Sequence, residues 1–417
     1  MKKFIVDHEQ EVLLLLVTIL GVTRWWLPPI TGFPNLYPAS HWVLSYDYGL
    51  VRRGLIGSII KLWLPMVTVE QVYHIALVAY CTLLALLLVT FYALWRTSEK
   101  NGRLFRLFLF FAATPVTLSL FAHDLGRFDL FLTLITVLSL ILLSLRRYVW
   151  MIPVLTVAAM FVHEGFLVLY APTIVAAILF VHSRDRRGNG LLVTAVVAAI
   201  GILGSFVVLY RFGYPTLGYE EFSRFIQSRA DFHVTELSMR ECYYGIKDHL
   251  HLTSPYLHDA GSIVNLFMAI LMLSPAIIIL LNLWTHALRN SGEQTAACKL
   301  FFLATLSGLL LLPVATDYGR WLSAIISCNF FAVFLLLSMR IIKVEELEEY
   351  SGGYFPILFI TVVLTYLLFG PLHDWNPYPY SDNILYSSLS VVSVLLFDIG
   401  FCMRWRTLRG VGDSESL

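Results

Sequence analysis

The sequence predicts an all-α, polytopic integral membrane protein with about 12 transmembrane helices and both termini on the cytoplasmic side. Three observations carry this. The 417 residues are 58% hydrophobic and only 14% charged, against about 25% charged residues in a soluble domain. Mean hydropathy is +0.74. Long apolar runs recur along the whole chain, and the basic residues fall on alternate connections between them.

A span needs about 20 apolar residues. By that rule the spans lie at roughly 12–28, 72–95, 104–122, 129–145, 149–163, 166–182, 190–211, 262–284, 300–316, 321–340, 354–371 and 384–403. The first run follows Met1-Lys2-Lys3, has no small-residue cleavage site and ends at Trp25-Trp26-Leu27-Pro28-Pro29. It is therefore expected to stay as a first span rather than be removed as a signal peptide. The connections on the N-terminal side then hold Lys2 and Lys3, Arg96 to Arg106, Arg146 and Arg147, Arg184 to Arg187, Arg289 and Lys299, Arg340 and Lys343, and Arg404 to Arg409. Every inner connection is basic, as the positive-inside rule asks.

The runs 149–163 and 166–182 are separated only by His163-Glu164-Gly165. Read as one long helix, they would strand Arg146/Arg147 and Arg184/Arg186/Arg187 on opposite faces. Read as a hairpin, they keep both clusters inside. Arms this short place His163 and Glu164 in a recessed position, where charge is costly unless it faces a wet cavity. The chain is expected to be a single transmembrane unit, 1–417. Its first extracytoplasmic loop, 29–71, carries an interfacial helix, and a long extracytoplasmic segment, 212–261, is rich in Tyr, Phe, Arg and Glu with one or two short helices. A third outer turn runs from Leu372 to Tyr380 and includes His373-Asp374.

The net charge of +1 and the lack of a basic tail give no reason to expect nucleic acid. The five cysteines, at 81, 242, 298, 328 and 402, are too scattered to imply a disulfide framework or a thiolate metal site.

The outer turns concentrate carboxylates, histidines and arginines, and anchoring charges alone would populate both faces. Asp47 stands five and six residues before Arg52 and Arg53, among Gly49, Gly54 and Gly57. A carboxylate can take a proton from an attacking hydroxyl, arginine forks grip phosphate, and the glycines would let backbone approach a ligand. The plain alternative makes the arginines headgroup anchors and Asp47 a helix cap. His123, Asp124, Arg127 and Asp129 form an entire outer turn, and intramembrane ionisable groups default to function; an internal ion pair holding the turn is the alternative. His163-Glu164 has a similar standing, with a His–Glu hydrogen bond as its alternative. Asp317 and Arg320 repeat the acid-then-arginine theme beside Tyr318 and Trp321, which could equally be aromatic-belt residues. The histidines 249, 251 and 258 are expected to be loop polar groups rather than zinc ligands.

This pattern resembles the GT-C superfamily of polytopic membrane glycosyltransferases, whose members use polyprenyl-phosphate-linked sugars on the extracytoplasmic face and place an essential acid in the first outer loop. Asp47, the adjacent arginines and the later outer charges carry the resemblance. It implies transfer of a sugar from a polyprenyl-phosphate donor to a glycan, lipid or protein acceptor. Asp47 would be the general base, with Asp124 and Glu164 as further candidate catalytic acids. Arg52 and Arg53 would be the phosphate clamp, and His123, Arg127, Asp129, His163, Asp317 and Arg320 would bind substrate. Ser45-Tyr46-Asp47-Tyr48-Gly49 offers one carboxylate where family members often show two, so a divalent cation is left open and no cofactor is certain.

Two other functions fit the composition. A surface-polysaccharide polymerase would use outer arginines such as Arg224, Arg229 and Arg240. A secondary transporter would also have many spans, but it would set its charges near the midplane within repeats. The basic inner loops suit a bacterial inner membrane, with the site facing the periplasm or exterior.

Overall fold

The computed structural model describes residues 36–97, 102–185, 188–246, 260–313, 317–344, 355–369 and 388–402. The expected span at 12–28, the histidines 249, 251 and 258, and the His373-Asp374 turn lie outside these. Among the described residues the chain is helical, with a lone parallel bridge joining Val67 to Ala230. Five helices are long and apolar enough to cross a membrane, and four shorter apolar helices accompany them.

In chain order the elements are α1 (Leu36–Ser40), α2 (Gly54–Lys61), α3 (Val69–Thr97), α4 (Gly102–Ala113), α5 (Leu118–His123), α6 (Asp129–Leu145), α7 (Met151–Val162), α8 (Phe166–Leu169) and α9 (Ala171–Arg184). There follow α10 (Gly190–Phe212), α11 (Tyr219–Ser228), α12 (Glu236–Tyr243), α13 (Ala260–Asn290), α14 (Thr295–Thr305), α15 (Tyr318–Ser338) and α16 (Phe355–Phe369), then α17 (Ser388–Cys402).

The helix α6 shows how sequence sets the ends. Its 17 residues contain no glycine or proline. Asp129 sits in the first turn, where the helix dipole favours an anion, and Arg146 closes the C-terminus at φ 53. The 12 residues of α7 span only about 18 Å. It stops where His163 turns extended, at φ −161 and ψ 125. The expected hairpin is present, with α7 and α9 both packed against α10.

Besides the run 166–182, interrupted at Tyr170 between α8 and α9, two expected spans are not single helices. The run 104–122 breaks after Ala113, because Pro115 has no N–H to continue the ladder; the Thr114 hydroxyl donates to Phe110 O at 2.7 Å, and α5 restarts at Leu118. The run 300–316 begins earlier, at Thr295, and gives way to a 3-10 turn over Ser307–Leu311. There Gly308 packs so closely on Ile325 that a Cβ would lie 2.8 Å from its side chain. The segment after 212 forms the two short helices α11 and α12.

The core is organised around α15, 94% of whose apolar window is buried. It packs against α6, α13 and α14. Midway along it, Asn329 is buried and binds three helices at once. Its Oδ1 accepts from Trp284 Nε1 on α13 at 2.9 Å and lies 2.9 Å from the Thr305 hydroxyl on α14. Its Nδ2 donates to Ile325 O at 2.8 Å. With every polar atom partnered, the amide fixes the rotation of α15 about its own axis. Asn329→Leu strands the buried indole N–H, so a loss of about 1–3 kcal/mol is expected, read as a lowered unfolding midpoint in detergent.

Candidate active site

The buried end of α15 collects the charges. Arg320 lies in its first turn and spreads its guanidinium over three partners. Nε and Nη2 reach Asp129 Oδ2 and Oδ1 at 3.0 and 3.1 Å, a two-pronged grip on the first residue of α6. Nη1 donates to Asp317 Oδ2 at 2.6 Å. Nη2 also stands 3.3 Å from His163 Nε2.

Next to this lies a second arginine–carboxylate knot. Arg53 occupies the left-handed region at φ 61, unusual for a residue with a Cβ. Its side chain explains why the conformation persists. Nε and Nη2 fork onto Glu164 at 3.4 and 3.1 Å. Nη1 donates to His41 Nε2 at 2.9 Å and reaches Glu241 Oε2 at 3.4 Å. Arg52, 1% exposed, contacts Glu164 Oε1 at 2.8 Å from behind. Tyr37 completes the knot by donating to Glu241 Oε2 at 2.6 Å. A third pair, Arg127 with Asp124 at 3.5 Å, closes the turn between α5 and α6, and the Arg127 guanidinium lies 5.5 Å over the Tyr37 ring. Trp42 Nε1 pins that turn by donating to Gly126 O at 2.6 Å.

These knots surround a small cavity. Arg53, Arg127 and Arg320 line it with His41, His163, Tyr37 and Asp129. It holds about 10 Å³, room for about one water. A second cavity of the same volume adjoins it and shares Arg127, Asp129 and Arg320. Three guanidiniums, two imidazoles and one carboxylate line the first cavity, and each guanidinium is already paired with carboxylate: Arg53 with Glu164 and Glu241, Arg127 with Asp124, and Arg320 with Asp129 and Asp317.

The imidazoles add donors and acceptors but no charge. His41 Nε2 accepts from Arg53, so the ring is neutral with its proton on Nδ1. Burial, followed by the charges of Arg53, His163 and Arg127, holds its pKa well below the usual histidine range. His163 Nδ1 accepts from the Gly165 N–H at 2.9 Å, which leaves the proton on Nε2, facing Arg320. Both of those groups are donors. An acceptor oxygen placed between them would satisfy both.

The sequence-derived candidates therefore divide. Arg53, Arg127, Asp129, His163, Arg320 and Glu164 converge, with Arg52, Asp124 and Asp317 directly behind them. Asp47 is not among the cavity residues. Its Oδ2 accepts from Ser45 at 2.6 Å and its Oδ1 from Lys61 at 2.5 Å. Slight burial pushes its pKa up, but the bonds from Lys61 and Ser45 outweigh that, and its carboxyl stays below the usual range. At 29% side-chain exposure it is the most open of the candidate acids. His123 sits half-buried at the end of α5 and lines neither cavity.

The arginines suggested for a polymerase have local duties. Arg229 donates to Val43 O at 2.8 Å, and exposed Arg240 pairs with Glu236 at 2.5 Å. The glycines near Asp47 admit the protein's own chain rather than a ligand: a Cβ on Gly57 would meet Leu44 O at 2.0 Å, and one on Gly49 would meet Tyr214 O at 2.9 Å. Tyr37, His41 and Glu241 were not singled out by sequence reading. Nothing in spacing separates Glu241 from its neighbours Glu220, Glu221 and Glu236. Among the described residues no three His, Cys, Asp or Glu side chains form a group that could hold a metal ion.

Two outcomes follow from this geometry. Arg320→Ala leaves the buried Asp129 without its partner, a loss of about 3–5 kcal/mol; adding Asp129→Leu should recover part of it, and a thermal double-mutant cycle measures the coupling. His41 is neutral when folded and gains a proton more easily when unfolded. Its contribution to stability is therefore complete above about pH 6.5 and falls as pH drops below that value. His41→Asn should flatten the unfolding midpoint between about pH 6.5 and 5.

Comparison with protein-family models, with curated proteins and with solved structures finds no match for this chain.

Proposed function

We propose that this chain is a membrane glycosyltransferase of GT-C type. It would move a sugar from a polyprenyl-phosphate-linked donor to a glycan, lipid or protein acceptor on the extracytoplasmic face of a bacterial inner membrane. The twelve-span topology with cytoplasmic termini belongs to this reading. So does the assignment of the charged end of the bundle to the outer side.

The observation that carries the proposal is the cavity lined by Arg53, Arg127 and Arg320 with His41 and His163. Phosphate oxygens are acceptors only, and guanidinium forks match them in geometry and charge. A departing phosphate develops negative charge as the bond to the sugar breaks, and donors already in place stabilise that charge without reorganisation. Asp129, Glu164 and Glu241 hold the arginines in the ligand's absence. The cavity is water-sized, so a phosphate enters as those contacts yield.

The chemistry is a displacement at the anomeric carbon. The acceptor oxygen forms the new bond, the bond to phosphate oxygen breaks, and the polyprenyl phosphate leaves with the electron pair. The acceptor's proton passes to a carboxylate, for which Asp47 is the candidate. It stands in the first outer loop, is the most open acid, and is held ionised by Lys61 and Ser45. Arg53, Arg127 and Arg320 form the clamp, with Arg52 behind Glu164 as its support. Glu164 and Asp124 act here as positioning residues, because each faces an arginine.

The test compares surface glycans and lipid-linked sugars in a strain lacking the protein, rescued with wild type, Asp47→Asn or Arg127→Gln at matched membrane levels. A glycan lacking one sugar, restored by wild type, is expected. Asp47→Asn should lose about 100-fold or more in transfer rate, and Arg127→Gln should weaken donor use while the chain still folds. Wild-type transfer by Asp47→Asn would remove Asp47 as base. Shortened chains of intact repeat units would indicate a polymerase, and an unchanged glycan profile would indicate transport.

A further inference from the structure

The opposite end of the same helices carries a second feature, independent of the transfer reading. The helices α3, α6 and α15 enclose an apolar groove of about 300 Å³, lined by Leu87, Ala93, Leu140, Ile141, Phe334 and Leu335 among others. Its polar edge is Thr97, Ser144 and Ser338, and the last two hydroxyls lie 3.0 Å apart. All three helices end at this edge.

The edge is basic and aromatic. Arg96 precedes Thr97, Arg147 lies two residues past the lining residue Leu145, and Arg340 lies two past Ser338. All three arginines are exposed, and none has a carboxylate partner among the described residues. Arg146, between them, is already paired with Asp185. Tyr92, Tyr148 and Trp150 are exposed close by in sequence, the kind of ring found where a bilayer meets water.

Part of that charge has a local explanation. Three helix C-termini meet here, each equivalent to about −0.5 charge, and arginines would offset them. Three full positive charges exceed that requirement, and dipole neutralisation does not account for an open apolar groove beneath the arginines. Apolar walls of this length suit a hydrocarbon chain, and the surplus positive charge suits an anionic headgroup. Basic sites of this form between transmembrane helices hold acidic lipids.

We infer that the groove between α3, α6 and α15 is a binding site for an anionic phospholipid. One acyl chain lies along Leu140 and Phe334, and the phosphate rests on Arg96, Arg147 and Arg340. No covalent step is involved, and the ligand is a resident of the membrane rather than a substrate.

The experiment uses the full-length protein, delipidated in detergent and titrated with phosphatidylglycerol or phosphatidylcholine under native mass spectrometry. Wild type should retain one phosphatidylglycerol in preference to phosphatidylcholine. Ala93→Trp fills the groove and should abolish retention of both. Arg147→Gln with Arg340→Gln touches only exposed side chains, so it tests the headgroup without risk to folding. It should weaken phosphatidylglycerol by about fivefold per arginine and leave phosphatidylcholine unchanged.

Equal retention of the two lipids by wild type would overturn the proposal. So would undiminished phosphatidylglycerol binding by the double arginine variant, or a purified chain that carries an isoprenoid phosphate in place of a diacyl lipid. A photoreactive side chain at position 93 that labels residues 12–28 of the chain itself, rather than lipid, would likewise assign the groove to an internal segment.

Discussion

The pairing of Arg320 with Asp129 is the constraint on which the charged end of the molecule depends. It joins the first turns of α15 and α6, the central helix and its neighbour, through two parallel bonds of 3.0 and 3.1 Å. Buried ions of this kind are costly to desolvate, and the geometry must be good for their attraction to compensate. Here the compensation is shared. Asp317 takes a third donor from Arg320, and His163 sits against a fourth contact. Through His163 the pair touches the Glu164–Arg53 knot, and through Arg53 it reaches His41, Tyr37 and Glu241. No single pair explains the burial of so many charges; the set does.

On the proposed reading, such a set would exchange its own carboxylates for a phosphate. Each arginine at the cavity is held by carboxylates, and an incoming phosphate offers the same acceptor geometry with comparable charge. The energetic difference between the closed and the occupied state is therefore smaller than the sum of the bonds broken. The left-handed backbone at Arg53 adds to this. A residue held in that region by three side-chain partners, Glu164, His41 and Glu241, loses its reason to stay there when those partners change, which ties the segment before α2 to the state of the cavity. Gly57 is pressed against the carbonyls of Trp42 and Leu44, so α2 packs directly on that segment.

Much of this was legible in the sequence, for definite reasons. The helical membrane character follows from composition. The α7–α9 hairpin follows from the need to keep Arg146 and Arg184 on one face, and Arg53, Glu164, Arg127, Asp129 and Arg320 announce themselves as charges at the ends of apolar runs. What escaped was pairing. The spacing allows Arg127 a local pair with either Asp124 or Asp129; it takes Asp124, and what spacing does not show is that Asp129 turns to Arg320, 191 residues away. Asp47 and Arg52 are five residues apart, yet their side chains are held by different partners. Glu241 and Tyr37 meet across 204 residues, a juxtaposition that no local pattern encodes. The breaks at Pro115 and Gly308 were missed because an apolar run reads the same whether its backbone is one helix or two.

The same helices link the two ends of the molecule. Asp129 and Arg320 meet at the N-terminal ends of α6 and α15, and Ser144 and Ser338 meet near their C-terminal ends. The two helices therefore run parallel, and the two contacts are separated by about 22–27 Å of helix. Parallel packing stacks the helix dipoles in the same sense. At the N-terminal ends the positive poles favour Asp129 and any anion that enters the cavity. At the C-terminal ends the negative poles call for the arginines that rim the groove. One packing decision, two helices side by side in the same direction, thus bears on both where Asp129 is tolerated at one end and where exposed arginines gather at the other.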